Sequence, residues 1–345
     1  MIVAGPAGLQ LQLATRAPGV DEDLSIAIVD HINKATGTVR VVTQQLEEES
    51  IVKALLAARL RGCKVRVLLE EKYLSESGPV DDPWTASGRN EQNRHLFNVL
   101  LRSDIDVRLD RRSELLHSNF IVVDMGDAGQ VVVLTSANMT SSGARLHWDA
   151  NVTINNEDVV RAFSREFDAM WRSSSQAGDE PLQVPVQNIP VKVVFGPVHQ
   201  PEMEVMKQIA KARQKVRFAM YTFSNSSGID DILSMASSQS GINVAGVLDE
   251  QIRNQRWVAS HALEAAGVSI RWLGSDIQKL HHKLVTIDDK IVIVGTFNFT
   301  RSARFSHETV IVIGGINSDS AEQRELVNTV TNEIDRLIAI GRPSQ

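Results

Sequence analysis

The sequence predicts an α/β fold made of two halves with the same order of elements. Short apolar runs of strand length alternate with stretches in which apolar residues recur at helical spacing. This alternation occurs twice along the 345 residues, and each copy carries a similar histidine motif. An apolar fraction of 43% is ample for the cores. We therefore expect layered sheets whose strands are buried on both faces and covered by helices.

The first half opens with a fairly apolar segment, residues 1–13, that has no positively charged leader and is interrupted by two glycines and a proline. We expect a strand or an arm here rather than a signal peptide. In the helix that follows, Leu24, Ile28 and Ile32 recur at helical spacing. The expected helices and strands of this half, in chain order, span residues 21–34, 39–43, 49–60, 65–69, 92–101, 106–109, 120–123, 131–134, 150–154 and 158–171.

The second half repeats this order. Its first helix carries Val205, Ile209 and Ala212 at the same spacing, and its closing helix is longer than that of the first half. The expected helices and strands span residues 201–213, 216–221, 228–237, 244–248, 257–266, 269–273, 284–287, 291–294, 309–313 and 321–340.

A proline-rich segment separates the halves. Residues 173–190 begin with three serines, contain three prolines and show little periodicity, as is typical of a linker. We expect residues 1–172 and 191–345 to form the two halves. A second proline- and glycine-containing loop, residues 75–89, has only a short counterpart in the second half. It is either a lid over the site or, more simply, a tolerated surface loop.

Composition limits the classes of function. A formal charge of -6 argues against a strongly basic nucleic-acid coat, although it allows a local basic cleft. Cys63 is the only cysteine, so an intrachain disulfide and a cysteine-rich metal site are both excluded. This suits a reducing cytoplasm, where we expect the protein to reside. No apolar run approaches the roughly 20 residues of a spanning helix, so a lipid substrate would be met at a membrane surface or through a partner.

The second half carries a compact set of polar residues. His281 is followed by Lys283, Asp288, Asn298 in a Gly-Thr-Phe-Asn-Phe-Thr turn, and Glu308. Residues two apart on a strand point to the same side, so we expect His281 and Lys283 to share a side and the intervening His282 to point away. A metal shared by the adjacent histidines is therefore not expected.

The first half carries the same set with one change of charge. His117, Asp124, Asn138 and Asp149 occupy the matching places, but Asn119 stands where the second half has lysine. The two aspartates that follow the histidines, here and in the second half, are placed to close turns or bind backbone amides. The two histidines in matching settings suggest a divided task at one phosphate.

Two imidazoles can share the work of cleaving a phosphodiester. A histidine that attacks phosphorus must start neutral, and one that protonates the leaving oxygen must start charged; an unperturbed pKa of about 6.5 makes both states reachable. Glu308 and Asp149 could each orient a ring and favour its charged form. Further groups would neutralise the phosphoryl oxygens as charge builds. These are Lys283, Asn298, Asn138 and, with a weaker donor, Asn119.

The His-x-Lys-x4-Asp run, the turn after it and Glu308 together resemble the phospholipase D superfamily. The repeat extends over most of the chain, and the first half departs from the pattern at Asn119 and Thr135. Residues 280–303 look closest to the nuclease-like branch, which includes bacterial phosphodiesterases and cardiolipin hydrolases. The resemblance implies two α/β/α sandwich halves related by pseudo-twofold symmetry around one site. Because both motifs lie in one chain, a monomer is sufficient for a complete site.

The resemblance also implies a mechanism without metal or cofactor. His117 would form a phosphohistidine, His281 would protonate the leaving oxygen, and water or an alcohol would release the phosphoryl group. Nucleic acid is favoured over phospholipid as the substrate. Two alternatives remain open: a phospholipase D or phosphatidyltransferase acting on lipids, and a degenerate module that binds phosphate or nucleic acid but turns over weakly because of Asn119. The sequence does not show whether Asn119 is natural or introduced.

Residues near the two turns are expected to contact the substrate. Arginine suits bidentate phosphate contact, although an arginine after a turn can equally be an ordinary surface residue. The expected substrate-binding residues are Ser136, Thr296, Arg145, Arg301 and Arg304. Arg111 and Arg112, just before the first motif, would extend this basic rim.

Overall fold

The computed structural model describes residues 1–75, 82, 84–173, 178, 180–239, 241–274 and 278–344. Within these residues the chain forms two mixed sheets and covering helices, which confirms the α/β class. The helices are α1 Ser25–Asn33, α2 Glu49–Leu60, α3 Glu91–Leu101, α4 Ser141–Arg145, α5 Glu157–Trp171, α6 Pro201–Ile209, α7 Ile229–Ser238, α8 Ser260–Ala265 and α9 Ala321–Ile340.

The strands fall into two groups along the chain. Those of the first sheet are β1 Ile2–Ala4, β2 Leu9–Leu13, β3 Thr38–Thr43, β4 Lys64–Glu70, β5 Asp106–Asp110, β6 Phe120–Asp124, β7 Gln130–Thr135 and β8 Ala150–Ile154. Those of the second are β9 Leu182–Val186, β10 Ile189–Phe195, β11 Lys215–Met220, β12 Asn243–Asp249, β13 Ser269–Leu273, β14 Lys283–Ile287, β15 Ile291–Gly295, β16 Thr309–Gly314 and β17 Arg342–Pro343.

The two sheets share a central topology. The first has the order β1-β2-β8-β7-β6-β3-β4-β5, and the second has the order β17-β13-β12-β11-β14-β15-β16-β10-β9. In each, three parallel strands continue into an antiparallel meander, and the motif histidine lies two or three residues before the first strand of that meander. The register repeats as well, since Val39 faces Val123 and Val216 faces Ile287. The predicted duplication therefore extends to the pairing of individual residues.

Alternation along the strands divides the interior into three layers. In β7, Val131 and Val133 pack among the outer helices of the first half, whereas Val132 and Leu134 point to a central core. That central core also contains the apolar faces of α5 and α9 and the inner face of the second sheet. A separate cluster lies under α6, α7 and α8. Because both faces of each sheet are covered, the strand segments read as continuous apolar runs.

The segment expected to be a linker is partly a strand. Residues 182–186 form β9, an edge strand that pairs with β10, whereas we expected residues 173–190 to be irregular. Pro185 lacks an N–H donor and is tolerated because β9 has a neighbour on one side only. Residues 174–177 and 179, and residues 76–81 and 83 of the predicted loop, lie outside the described residues. The exact division into halves remains a prediction.

None of the helices in the described ranges combines the length and the apolar character that a membrane crossing requires.

Candidate active site

Backbone pairing between the halves places both histidine motifs at one interface. The His117 N–H donates to the His307 carbonyl at 2.9 Å, so the first motif lies beside the residue that precedes Glu308. The His281 N–H donates to the Trp148 carbonyl, also at 2.9 Å, beside the residue that precedes Asp149. These two parallel bridges have equivalent positions in the repeat. Each histidine is therefore held next to the acid of the opposite half.

The side chains follow this crosswise arrangement. The His117 Nδ1 lies 2.9 and 3.0 Å from the two carboxylate oxygens of Glu308. The His281 Nδ1 lies 2.9 Å from Oδ1 of Asp149. Only 8% of His117 and 9% of His281 are exposed. Since a carboxylate can only accept, each Nδ1 donates to it, and each Nε2 becomes the atom that can attack or carry a proton.

Two hydroxyls lie behind the carboxylates. Ser136 Oγ donates to Asp149 Oδ1 at 2.6 Å and accepts the Ala150 N–H at 2.9 Å. Thr296 Oγ1 donates to Glu308 Oε2 at 2.5 Å and accepts a backbone N–H in the same way. We expected these hydroxyls to contact substrate, but the structure directs them at the acids. They fix the orientation of the carboxylates, as outer hydrogen bonds do for other paired catalytic groups.

Lys283 contacts His281 closely. Its Nζ is 2.8 Å from the His281 carbonyl and 3.0 Å from Nε2 of the same ring. Burial lowers the pKa of Lys283 to about 8, against the opposing charges of Asp149 and Glu308. The ammonium remains mostly protonated at pH 7. The charges of both acids act on this one cation, which supports the prediction that the two histidine–carboxylate pairs belong to one site.

The charge states around His281 are strongly coupled. Burial lowers the pKa of His281 to about 3; Asp149 opposes this shift and Lys283 adds to it. Burial would raise the pKa of Asp149, but the charges and hydrogen bonds around it, chiefly from His281, hold it below its usual range. We infer an ionised Asp149 beside a neutral His281 ring in the free protein. A bound phosphoryl anion would favour protonation of that ring.

In the first half, Asn119 stands in place of the lysine and belongs to a group of polar side chains that hydrogen-bond to one another. Asn119 is 1% exposed. Its Oδ1 accepts from Thr43 Oγ1 at 2.7 Å and from the Gln44 N–H at 3.0 Å. Its Nδ2 lies 3.4 Å from Oδ1 of Asn138, whose own amide donates to the Gln44 side chain at 2.9 Å. The first-half side of the site is thus neutral and satisfied, whereas the second-half side is cationic.

Asn298, the counterpart of Asn138, is arranged differently. Its Oδ1 is buried and has no hydrogen-bond partner among the described residues. A buried polar atom without a partner costs free energy, so such an atom commonly marks a place where a ligand or water binds. The unpartnered atom is an acceptor, so it suits a hydroxyl or a water, and the role of Asn298 at the phosphate remains a prediction.

The arginines are not all directed at the histidines. Arg145 forms hydrogen bonds of 2.6 and 3.0 Å with Glu48 and a 2.9 Å salt bridge with Asp23. Arg304 donates to the Ser227 carbonyl at 2.5 Å, and Arg301 is exposed. The two arginines before the first motif are also paired with acids. These pairs are Arg111 with Glu71 and Arg112 with Asp110. Carboxylates therefore offset most of the expected basic rim.

Other polar residues of the motifs are structural. Asp288 accepts three successive backbone N–H groups of residues 213–215, at 2.7 to 2.9 Å, and Asp124 accepts the Gly126 N–H at 3.0 Å. These contacts agree with the expected amide-binding role. His282 is fully buried, and burial lowers its pKa to about 3. Neither of its ring nitrogens has a hydrogen-bond partner among the described residues.

Sequence reasoning missed a second pair of acids. Glu70 Oε2 accepts the Leu116 N–H at 2.7 Å, and Asp249 Oδ2 accepts the Leu280 N–H at 2.7 Å. Each acid thereby fixes the peptide just before a histidine. Burial raises the pKa of Asp249 to about 6, and it also raises the pKa of Glu70. The available signal was an acid directly after the second parallel strand in both halves.

Comparison with known proteins agrees with this geometry. The family model described as cardiolipin synthase, PLD-like domain, matches residues 28–171 and 205–338, well over half of the chain. A mitochondrial cardiolipin hydrolase of Xenopus tropicalis is 27% identical over 128 residues, which are 37% of this chain and 51% of that protein. A phospholipase D of Rickettsia conorii is 32% identical over 114 residues, which are 32% of this chain and 54% of that protein. The chain thus spans about half the length of these curated relatives.

The fold has a counterpart over nearly the whole chain. The crystal structure of a phosphatidylserine synthase from Haemophilus influenzae matches with a TM-score of 0.72 and 12% sequence identity, covering 99% of this chain and 88% of that one. At this identity the likeness concerns the fold alone. The family model, by contrast, matches both halves in sequence, and each matched range contains one histidine motif. The chain therefore belongs to the phospholipase D superfamily.

Proposed function

We propose that this protein is a metal-independent phosphodiesterase that works through a phosphohistidine on His117. The crosswise pairing of the two imidazoles with Glu308 and Asp149 carries the proposal. It fixes both Nδ1 atoms and leaves both Nε2 atoms outside the contacts with the acids, although Lys283 Nζ lies 3.0 Å from that of His281. The two rings come from opposite halves. An in-line displacement needs this division, with the nucleophile and the acid on opposite sides of phosphorus.

The first step forms a nitrogen–phosphorus bond. The neutral His117 Nε2 attacks phosphorus, and Glu308 stabilises the positive charge that develops on the ring. The bond to the leaving oxygen breaks as that oxygen takes a proton from Nε2 of His281. Asp149 favours the charged His281 ring that this transfer requires, and the phosphoryl anion adds to that effect.

The second step reverses the proton transfer. His281, now neutral, accepts a proton from water as the water oxygen attacks phosphorus. The nitrogen–phosphorus bond breaks, and the neutral His117 ring is restored. An alcohol in place of water would make the same intermediate a donor for group transfer.

The two halves contribute unequally to stabilising the negative charge on the phosphoryl oxygens. Lys283 supplies an ammonium, and the unpartnered amide oxygen of Asn298 shows that this side chain is not held elsewhere through that atom. Asn119 and Asn138 supply neutral amides that already hydrogen-bond each other. The second half therefore carries most of the electrostatic stabilisation.

For the substrate we place phospholipid ahead of nucleic acid, reversing the preference drawn from sequence. The arginines that would follow a nucleic-acid backbone are largely paired with carboxylates, as Arg145 is. Leu146 and Phe305, each three residues before a catalytic acid, are exposed apolar side chains at equivalent positions. The family model and the two curated relatives are also named for lipid enzymes.

A side-by-side assay tests the function and the substrate together. Single-stranded DNA, duplex DNA, RNA and vesicles containing an anionic phospholipid are incubated with the protein in the presence of a chelator. We expect cleavage of the phospholipid, and a covalent, acid-labile phosphoryl adduct that is lost in His117→Ala. Loss of activity with chelator would contradict the metal-free mechanism.

A weakly active binding module is the second candidate, because Asn119 replaces the first lysine. Binding of a phosphodiester without adduct or product, in a protein of unchanged fold, would favour it.

A further inference from the structure

The ring of His281 is surrounded by groups that the proposed reaction does not use. The Tyr221 ring lies 4.9 Å from the His281 ring, centre to centre, and the His147 ring lies 6.0 Å away. Lys279 Nζ lies 4.8 Å from the centre of the Tyr221 ring, over its face. All three side chains are half-buried, so each reaches solvent beside the site.

The positions that correspond to these groups around His117 carry other residues. Two residues before His281 stands Lys279, and two residues before Asp149 stands His147. In the first half, Leu115 corresponds to Lys279 and Ser306 corresponds to His147. In the strand register, Gln44 corresponds to Tyr221. The two sides of the phosphorus atom therefore face different environments, one with a tyrosine and a second lysine, the other neutral.

The contacts of Lys279 differ from those of the arginines near the site. In the described ranges it forms no salt bridge, unlike Arg145 and Arg112. The charge of Lys279 acts on Asp249 and opposes the rise of its pKa that burial causes, while both oxygens of Asp249 accept backbone N–H groups. Within the described part of the chain, Lys279 is thus a cation without a salt-bridge partner, and its ammonium lies over the face of Tyr221 on the His281 side.

We propose that Lys279, positioned by Tyr221, binds a second anionic group on the alcohol that leaves from the His281 side. This rests on the proposed function, in which His281 protonates the leaving oxygen. The buried Lys283 meets the phosphate that reacts, and the half-exposed Lys279 lies farther out, where the remainder of the leaving alcohol would pass. The preferred substrate would accordingly contain a phosphodiester and a further phosphate on the departing alcohol.

Matched soluble substrates test this without a membrane. One set is the dinucleotide of thymidine and its two forms with an extra terminal phosphate, at the 5′ or the 3′ end. The other is glycerophosphoglycerol and its longer homologue, in which a central glycerol joins two phosphodiesters. The variants are Lys279→Gln and Lys279→Arg. Lys207→Gln, an exposed lysine of α6 outside the site, controls for loss of a charge.

We expect the wild type to favour one doubly charged compound over its singly charged partner by about tenfold in KM, the scale of one charge-assisted contact. Lys279→Gln should abolish that preference while leaving KM for the singly charged compound unchanged. Lys279→Arg and Lys207→Gln should keep it. A preference within the dinucleotide set would show that the second anionic group belongs to a nucleotide. A preference within the glycerol set would show that it belongs to a glycerol phosphate.

Two results would overturn the proposal. One is a wild type that does not distinguish the members of either set. The other is a Lys279→Gln variant that weakens both members equally, as a merely structural role would. If no compound is cleaved, the proposed function fails; dissociation constants of the same compounds, measured by calorimetry, then decide the role of Lys279 by the same comparison.

Discussion

The crosswise pairing predicts that two similar acid substitutions will differ in their dependence on the leaving group. Asp149→Asn affects the ring that protonates the leaving oxygen, whereas Glu308→Gln affects the ring that attacks phosphorus. Nitrophenolate leaves without needing a proton. A nitrophenyl diester should therefore tolerate the first substitution and not the second, while a simple alkyl diester should tolerate neither.

The size of the effect follows from the contacts of Asp149. Ser136 Oγ and His281 Nδ1 contact the same oxygen of Asp149, so an asparagine turns one group towards both; its amide N–H₂ in that place would favour the wrong tautomer of His281. Loss of the correct tautomer in a comparable histidine–aspartate pair costs about 10⁴-fold in turnover, which corresponds to about 5.4 kcal/mol. We expect a loss near this size for the alkyl diester. For the nitrophenyl diester, the loss should stay below about tenfold.

The assay is the pre-steady-state burst of nitrophenolate, because it reports the first chemical step and not the hydrolysis of the adduct. Ser136→Ala is the matched control. It removes one outer hydrogen bond from Asp149 and should cost only about 0.5–1.5 kcal/mol with either substrate. His281→Ala and His117→Ala fix the assignment of roles. An Asp149→Asn variant whose nitrophenolate burst falls as far as its alkyl activity, while His281→Ala retains the burst, would refute the crosswise pairing.

Three further predictions concern charge. Because burial lowers the pKa of His281 to about 3, the protonated ring becomes rarer as pH rises above that value, so loss of this acid should lower kcat/KM as pH rises above about 3; a profile without a falling limb would contradict an acid role. Binding of the phosphoryl anion should accordingly take up a proton, measurable by calorimetry in buffers of different ionisation enthalpy; no uptake would contradict the neutral ring. Asn119→Lys should raise turnover, by up to about 2.7–4 kcal/mol of transition-state stabilisation. It should also lower the melting temperature, because the new ammonium disrupts the hydrogen bonds with Thr43 and Asn138; an unchanged or lower rate in a folded variant would count against the reading of the first half.

Most of the fold was predictable because the strands are buried on both faces. Runs such as 131–134 and 291–294 have no polar positions, and they recur in the same order in both halves. β9 and β10 escaped prediction, since prolines and a short polar turn obscure their alternation. Their identity as strands depends on β16, a partner more than a hundred residues away, for which local sequence gives no sign.

The site was predictable in its residues but not in its pairings. The spacing of the motifs predicted that His117 and His281 lie at one site, and it identified both acids. It did not show that the acids exchange between halves, because that exchange depends on two parallel bridges between segments far apart in sequence. Nor did it reveal Lys279 or Tyr221, since a lysine and a tyrosine outside a motif look like ordinary surface residues.

The exchange of acids explains why the halves can differ in charge. A half on its own would hold a histidine whose carboxylate partner lies on another unit, so neither half completes a site. Two identical second halves would supply two lysines, related by symmetry, to the two sides of phosphorus. In a single chain the two halves can have different sequences, so the residues on one side of the phosphorus atom can become neutral. Here that side holds Asn119 in a closed set of amides, while the other retains Lys283 and adds Lys279. Such an asymmetric site can distinguish the group that stays on phosphorus from the group that leaves, which two identical halves cannot do.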